Sequence, residues 1–174
     1  TAGGAIASTL SNYTMTVNGD FSHTGGTFDF DDNASSTAVH KLYLNGANYT
    51  LDNSGIIYKS AGAGTSSVFG ELYFNRAGII TFSRVNDAHQ ISQVRQIVST
   101  GCTVNANTSS QNIQIAASSL ATVSAVPPTV LLLDVQGVLN MGTKLIYGRS
   151  ESATQRISSV NVASGGELQT ANIN

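Results

Sequence analysis

Asp29, Asp31 and Asp32, with Asn33 beside them, form the densest group of oxygen donors in this chain. Oxygen-rich loops of that kind can hold Ca²⁺, which takes roughly six to eight oxygen ligands. The run lacks the Gly and the distal Glu of an EF-hand loop, and Asp29 and Asp31 flank Phe30 on one strand face. A solvated turn is therefore the preferred reading, and no metal is assigned. Asp20, Asp52, Asp87 and Asp134 fall in successive parts of the chain and could align across stacked coils, as the carboxylates of β-helical lyases and glycosidases do. With ten acids in 174 residues, chance spacing explains them equally well, and no catalytic residue is assigned. His23, His40 and His89 stand alone among polar neighbours without a spaced His or Cys partner, which reads as surface histidine rather than metal ligand. Cys102 has no cysteine partner and no basic neighbour, so it reads as a small buried apolar residue. Tyr43, Tyr49, Tyr58 and Tyr73 could line up as a row for sugar rings, or they could stack inside a core.

The elements that would carry these groups are strands. Charged residues make up 10% of the chain, where ordinary soluble domains have about 25%. Small uncharged polar residues take their place, a mixture that suits pleated strands and tight turns. A net charge of −2 with scattered Lys and Arg offers no basic stripe for nucleic acid. The longest apolar run, Val130-Leu131-Leu132-Leu133, is interrupted by Asp134, far short of a membrane span. Hydrophobic residues at 41% are too many for a disordered stalk, so the chain is expected to fold.

Period-two alternation marks strands at Tyr13–Asn18, Thr27–Phe30, Lys41–Leu44, Tyr49–Leu51, Glu71–Phe74 and Ile79–Phe82. Further strands are expected at 112–117, 120–126, 129–135 and 157–162, with Leu145-Ile146-Tyr147 and 157–162 belonging to two rungs in close succession. The segment 88–98 has Ile91, Val94 and Val98 at helical spacing but continues in the strand idiom; strand is preferred over a short helix.

A recurring phrase organises these strands. Gly19, Gly46, Gly78, Gly101, Gly137 and Gly166 follow one another at intervals of 27, 32, 23, 36 and 29 residues, each between apolar pairs. Periods of roughly 20–50 residues mark stacked architectures. Asn18, Asn45, Asn75, Asn105 and Asn140 lie next to or a few residues beyond these glycines, as expected if their amides ladder between rungs. The chain therefore reads as all-β: a parallel β-solenoid of about five to six irregular rungs, whose loops vary while the turn Gly stays put. A β-sandwich is the alternative. Residues 1–174 read as one solenoid segment without an amphipathic cap helix or a charged cap strand at either end, hence as a fragment of a longer repetitive protein.

Two stretches have a specific wording. Val135-Gln136-Gly137-Val138-Leu139-Asn140-Met141-Gly142-Thr143, Ile146-Tyr147-Gly148 and Val162-Ala163-Ser164-Gly165-Gly166-Glu167-Leu168-Gln169-Thr170-Ala171 form one; Val17-Asn18-Gly19-Asp20-Phe21-Ser22-His23-Thr24-Gly25-Gly26-Thr27-Phe28 forms the other. They resemble repeats of very large cell-surface proteins of Bacteroidota exported by the type IX secretion system, departing where Val138 and Glu167 replace the usual Thr. The resemblance implies a β-solenoid stalk of an adhesin or gliding-motility adhesin, extracellular or at the cell surface, with no catalytic motif to carry over. Its implied partners are neighbouring repeats of the same chain and surface glycans or the secretion and motility machinery. The expected function is thus a non-enzymatic structural or adhesive segment, without cofactor. A carbohydrate-binding β-helix face and a β-helical polysaccharide lyase or glycosidase are the alternatives.

Overall fold

The computed structural model describes residues 4–7, 12–31, 39–51, 56–58, 70–84, 91–92, 94–107, 113–116, 130–144, 146–149 and 158–171. All regular structure among them is strand, in six rungs of three. The rungs are β1 (Gly4–Ala7), β2 (Thr14–Val17), β3 (Phe21–His23); β4 (Thr27–Asp31), β5 (His40–Leu44), β6 (Asn48–Leu51); β7 (Ile56–Tyr58), β8 (Gly70–Phe74), β9 (Gly78–Arg84). They continue as β10 (Ile91–Ser92), β11 (Val94–Val98), β12 (Cys102–Asn105); β13 (Ile113–Ala116), β14 (Val130–Val135), β15 (Val138–Gly142); β16 (Ile146–Arg149), β17 (Ser158–Val162), β18 (Glu167–Thr170). The first strands of all rungs make one six-stranded sheet, the second strands another and the third strands a third. Every pairing is parallel. This is a parallel β-solenoid with three faces.

All six phrase glycines fall at one place, the corner between the second and third strands. There the chain needs only two to four residues to turn, whereas one to thirteen residues connect the first strand to the second. The irregular repeat length therefore comes mostly from one side of the coil. At the short corner one backbone bond repeats from rung to rung: Asn45 N–H to Val17 C=O (2.9 Å), Asn75 to Leu44 (2.9 Å), Ser99 to Phe74 (3.0 Å), Gln136 to Val98 (2.9 Å) and Ala163 to Val135 (2.9 Å). Glycine serves this corner in two ways. Gly46, Gly137 and Gly166 lie so close to backbone carbonyls, largely of the preceding rung, that a Cβ would overlap them, while Gly78 and Gly101 turn with φ of 105° and 79°.

Alternate side chains face inward and stack in columns. In the second sheet Val17, Leu44, Phe74, Val98, Val135 and Val162 follow one another in register. Beside them run Met15, Leu42, Leu72, Gln96, Leu133 and Val160. In the third sheet Ile80, Val104, Leu139 and Leu168 form a column, and Phe21, Tyr49 and Phe82 another. The rings of Tyr49 and Phe82 stack at 4.9 Å and 11°. Each such buried side chain contributes about 1.5–3 kcal/mol over its exposed state.

The segment 94–98 is strand, the preferred reading of the sequence. Several other details differ from that reading. Residues 146–149 and 158–162 are two sides of one rung rather than parts of successive rungs, because the connection between them joins a first strand to a second. The short strands β3 and β7 were not anticipated, and residues 120–126 lie outside the described set. The asparagines make two ladders instead of one. Asn75 donates to Asn45 (3.1 Å) and Asn45 to Asn18 (3.0 Å) at the short corner. Asn140 donates to Asn105 (3.3 Å) on the third sheet, since Asn105 and Asn140 are strand residues paired in register, not corner residues. At the corner itself the next two positions of the column are Ser99 and Gln136, which end the asparagine run.

Candidate functional site

The outward face of the second sheet carries the richest chemistry among the described side chains. On β5 and β8 burial alternates strictly, so Lys41, Tyr43, Glu71 and Tyr73 point away from the core formed by Leu42, Leu44, Leu72 and Phe74. Parallel in-register pairing then sets like beside like. One outward column reads Thr14, Lys41, Glu71, Arg95; the other reads Thr16, Tyr43, Tyr73, Ile97, Asp134, Asn161. The rings of Tyr43 and Tyr73 lie 4.4 Å apart and 12° from parallel, at about the spacing of adjacent strands.

Glu71 is the hub of this face. Its side chain is only 12% exposed; it lies 3.2 Å from Arg95 Nη1 and 3.6 Å from Lys41 Nζ. The Tyr73 hydroxyl donates to its second oxygen at 2.7 Å. Lys41 Nζ also sits 5.8 Å from the Tyr73 ring centroid, within reach of the ring's negative face. Burial, followed by the Glu71 carboxylate and Tyr43, holds the Tyr73 phenol well above its ordinary range, so it stays a neutral donor. One carboxylate serving two cations and a phenol is tied up in binding. Glycoside hydrolysis uses a second carboxylate roughly 5–9.5 Å away, and among the described residues of the outward columns none is paired beside Glu71.

The other sequence candidates are dispersed. Asp20 is the latch of the first corner: its carboxylate accepts from the backbone N–H groups of Ala47 and Asn48, both at 3.0 Å, and from Asn48 Nδ2 at 2.8 Å. The side-chain bond from Asn48, more than the backbone bonds, lowers its pKa below the usual carboxylate value. Asp134 lies four rungs away on β14, where Gln136 Nε2 and Asn161 Nδ2 donate to it, each at 2.7 Å. The two acids do not converge, and Asp52 and Asp87 lie outside the described residues. Phe30 is fully buried between Asp29 and Asp31 on β4. The side chains of Asp29 and Asp31, and the whole of Asp32, lie outside what is described, and so does the calcium reading that rests on them.

The histidines correct the surface reading. His40 is fully buried on the inward side of β5, where its Nδ1 accepts from the Tyr13 backbone N–H at 3.1 Å. Its column continues to Gly70 and Val94, and the Phe30 ring fills the space over Gly70. His23 is half-buried against Phe28, and burial lowers its pKa. His89 is outside the described residues. Cys102 is buried, and desolvation pushes its thiol up to about 11, far from a nucleophile's range. Among the described residues no group of three or more His, Cys, Asp or Glu could hold a metal ion.

The tyrosine row divides. Tyr49 is a fully buried core ring, Tyr43 and Tyr73 stand on the outer face, and the Tyr58 side chain is not described. Sequence reasoning missed Lys41, Glu71 and Arg95 because nothing in the spacing of 30 and 24 residues joins them. Only the register of β5, β8 and β11 does. Among the described residues no helix is long and apolar enough to cross a membrane. Comparison with known proteins found no matching family model, no similar curated protein and no similar solved structure.

Proposed function

We propose that this chain is a spacer, a stretch of β-solenoid stalk in a large secreted or cell-surface bacterial protein, working by geometry rather than by catalysis. The observation that carries this reading is where the polar side chains are spent. Asn18–Asn45–Asn75, Asp20–Asn48, Asn105–Asn140 and Asp134–Asn161 all tie one rung to the next. Such ladders fix the rise of about 4.8 Å per rung and leave no convergent polar groove among them. A load along the coil axis would be shared by three parallel hydrogen-bond ladders. The scarcity of charge and the wording at residues 17–28 and 135–171 support the surface setting. Adhesion through an outer face is compatible with this role.

A rung deletion tests it. Removing residues 45–74 joins Leu44 to Asn75, which is the same column position one coil later. A spacer made of additive rungs should fold without them, keep its parallel-β circular dichroism and shorten by about 4.8 Å in small-angle scattering. Failure of the shortened chain to fold would overturn the additive reading. Release of reducing ends from polysaccharides by the intact chain would overturn the non-catalytic one.

A further inference from the structure

The two edges of the coil match each other. Among the described residues β1, β2 and β3 form one outer edge of the three sheets and β16, β17 and β18 the other, so each edge offers strands to a further parallel partner. The inward columns of the second sheet stop short there. Val160 and Val162 are 45% and 44% exposed, whereas Leu133 and Val135, which precede them in register, are 2% and 0% exposed. At the opposite edge the same two columns begin with Met15 and Val17, half-buried beneath Leu42 and Leu44. A second copy shifted along the axis, its first rung following this last one, would set Met15 on Val160, Thr16 on Asn161 and Val17 on Val162. The columns would then run Leu133–Val160–Met15–Leu42 and Val135–Val162–Val17–Leu44. The corner bond that repeats from Asn45 to Ala163 would continue from Asn18 N–H to Val162 C=O.

A glycine points to the same occupant. Gly46, Gly137 and Gly166 need glycine because backbone of the preceding rung fills the place of a Cβ. Gly19 holds the same corner of the first rung, yet nothing lies within 4 Å of a Cβ there and its φ is outside the left-handed region. Its own chain gives no steric reason for glycine at this position. A rung stacked beneath supplies one, lying against Gly19 as the Gly19 carbonyl lies against Gly46. The chain itself carries both halves of such a junction.

We propose that copies of this chain associate head to tail, β1–β3 of one stacking on β16–β18 of the next, so that all three sheets continue through the junction. Each copy keeps one edge open after joining, so the assembly grows as a string of copies rather than closing as a dimer. The inference does not rest on the spacer reading. Removing residues 45–74 leaves both edges in place, so a shortened chain that fails to fold and a parent that fails to associate are separate results.

The test is sedimentation equilibrium of the intact chain from about 1 μM to about 1 mM. The weight-average mass should rise with concentration and pass that of two copies without levelling off. Val162→Lys puts an ammonium on the exposed inward column, and Gly19→Ala puts a methyl where the second copy's backbone would lie. Each should keep the parent's circular dichroism and lose about tenfold or more in association. Ile79→Lys, at a 54% exposed position on β9 away from both edges, should associate as the parent does. A mixture of the two blocked variants is decisive. Gly19→Ala retains a sound last rung and Val162→Lys a sound first rung, so together they should form a pair that stops at two copies, though neither associates alone. Gly19→Ala added to the parent should shorten its assemblies by capping them, which decides the matter if Val162→Lys disturbs the last rung. A parent that stays single up to about 1 mM, a mass that levels off at two copies, unchanged association in Gly19→Ala, or a mixture of the two folded variants that stays apart would each overturn the proposal.

Discussion

Replacing Gly46 with alanine should damage the fold, whereas the same change at Gly19, one rung earlier in the same corner, should not. The corner stacks glycine on glycine. A Cβ on Gly46 would overlap the Gly19 carbonyl and come 2.7 Å from the Asp20 backbone nitrogen, while a Cβ on Gly19 meets nothing within 4 Å. The atoms in the way at Gly46 are backbone and cannot swing aside. Relief requires the two rungs to part at the corner, which stretches the Asn45-to-Val17 bond and the Asp20 bonds to Ala47 and Asn48. Overpacking costs about 1–3 kcal/mol, and weakening the Asn45-to-Val17 backbone bond adds about 0.5–1.5 kcal/mol. The sum of roughly 1.5–4.5 kcal/mol, at about 2–4 °C per kcal/mol for a domain of this size, lowers the melting temperature by roughly 3–18 °C. Gly19→Ala should stay within about 0.5 kcal/mol of the parent. Calorimetric melting and urea titration of both variants, side by side, measure the difference. Equal stability of the two variants, in either direction, would refute the stacked-corner account, because composition and local sequence treat the two glycines alike.

Other consequences follow from the same columns. Gln96 is 2% exposed between Leu72 and Leu133, and no acceptor lies within reach of its Nε2 among the described residues. Gln96→Leu should therefore raise stability by about 1–3 kcal/mol in urea titration, the penalty of one unsatisfied buried amide. Asn45→Ala removes two amide bonds at once, to Asn18 and from Asn75. At an exposed corner this should cost about 1 kcal/mol, and Ser99→Asn, which prolongs the ladder toward Asn75, should recover part of it. Asp20 has a folded pKa below its unfolded value of 3.8. Its stabilisation is complete above pH 3.8 and is lost as pH falls through the folded value, so thermal melts between pH 5 and 2 should show a drop that Asp20→Asn removes.

What could be read from residues alone was the coil, and the reason is steric. A corner that recurs five times in contact with itself accepts few residue types, so Gly46, Gly137 and Gly166 stand out against their surroundings. Alternation was legible wherever a strand ran four or more residues with apolar partners on one face, as in Lys41–Leu44 and Glu71–Phe74. It failed at Phe21–His23, where three residues are too few to show a period. The candidate site was illegible for a different reason. Lys41, Glu71 and Arg95 are ordinary charges at unequal spacings, and only loop lengths that no local rule supplies put them in one column. The surface reading of His40 failed because a lone polar residue gives no sign of which strand face it takes, whereas β5 alternates with His40 on the side of Leu42 and Leu44.

The short corner and the variable links between first and second strands give this solenoid a grain. Between second and third strands six successive turns stay within two to four residues, while the link from first to second strands ranges from one to thirteen. A new segment inserted at the first kind of corner must breach a stack of touching backbone atoms, whereas the second kind of link already differs in length from rung to rung. Growth by insertion, natural or engineered, is thus channelled to the links between first and second strands, while the glycine corner keeps its spacing along the solenoid.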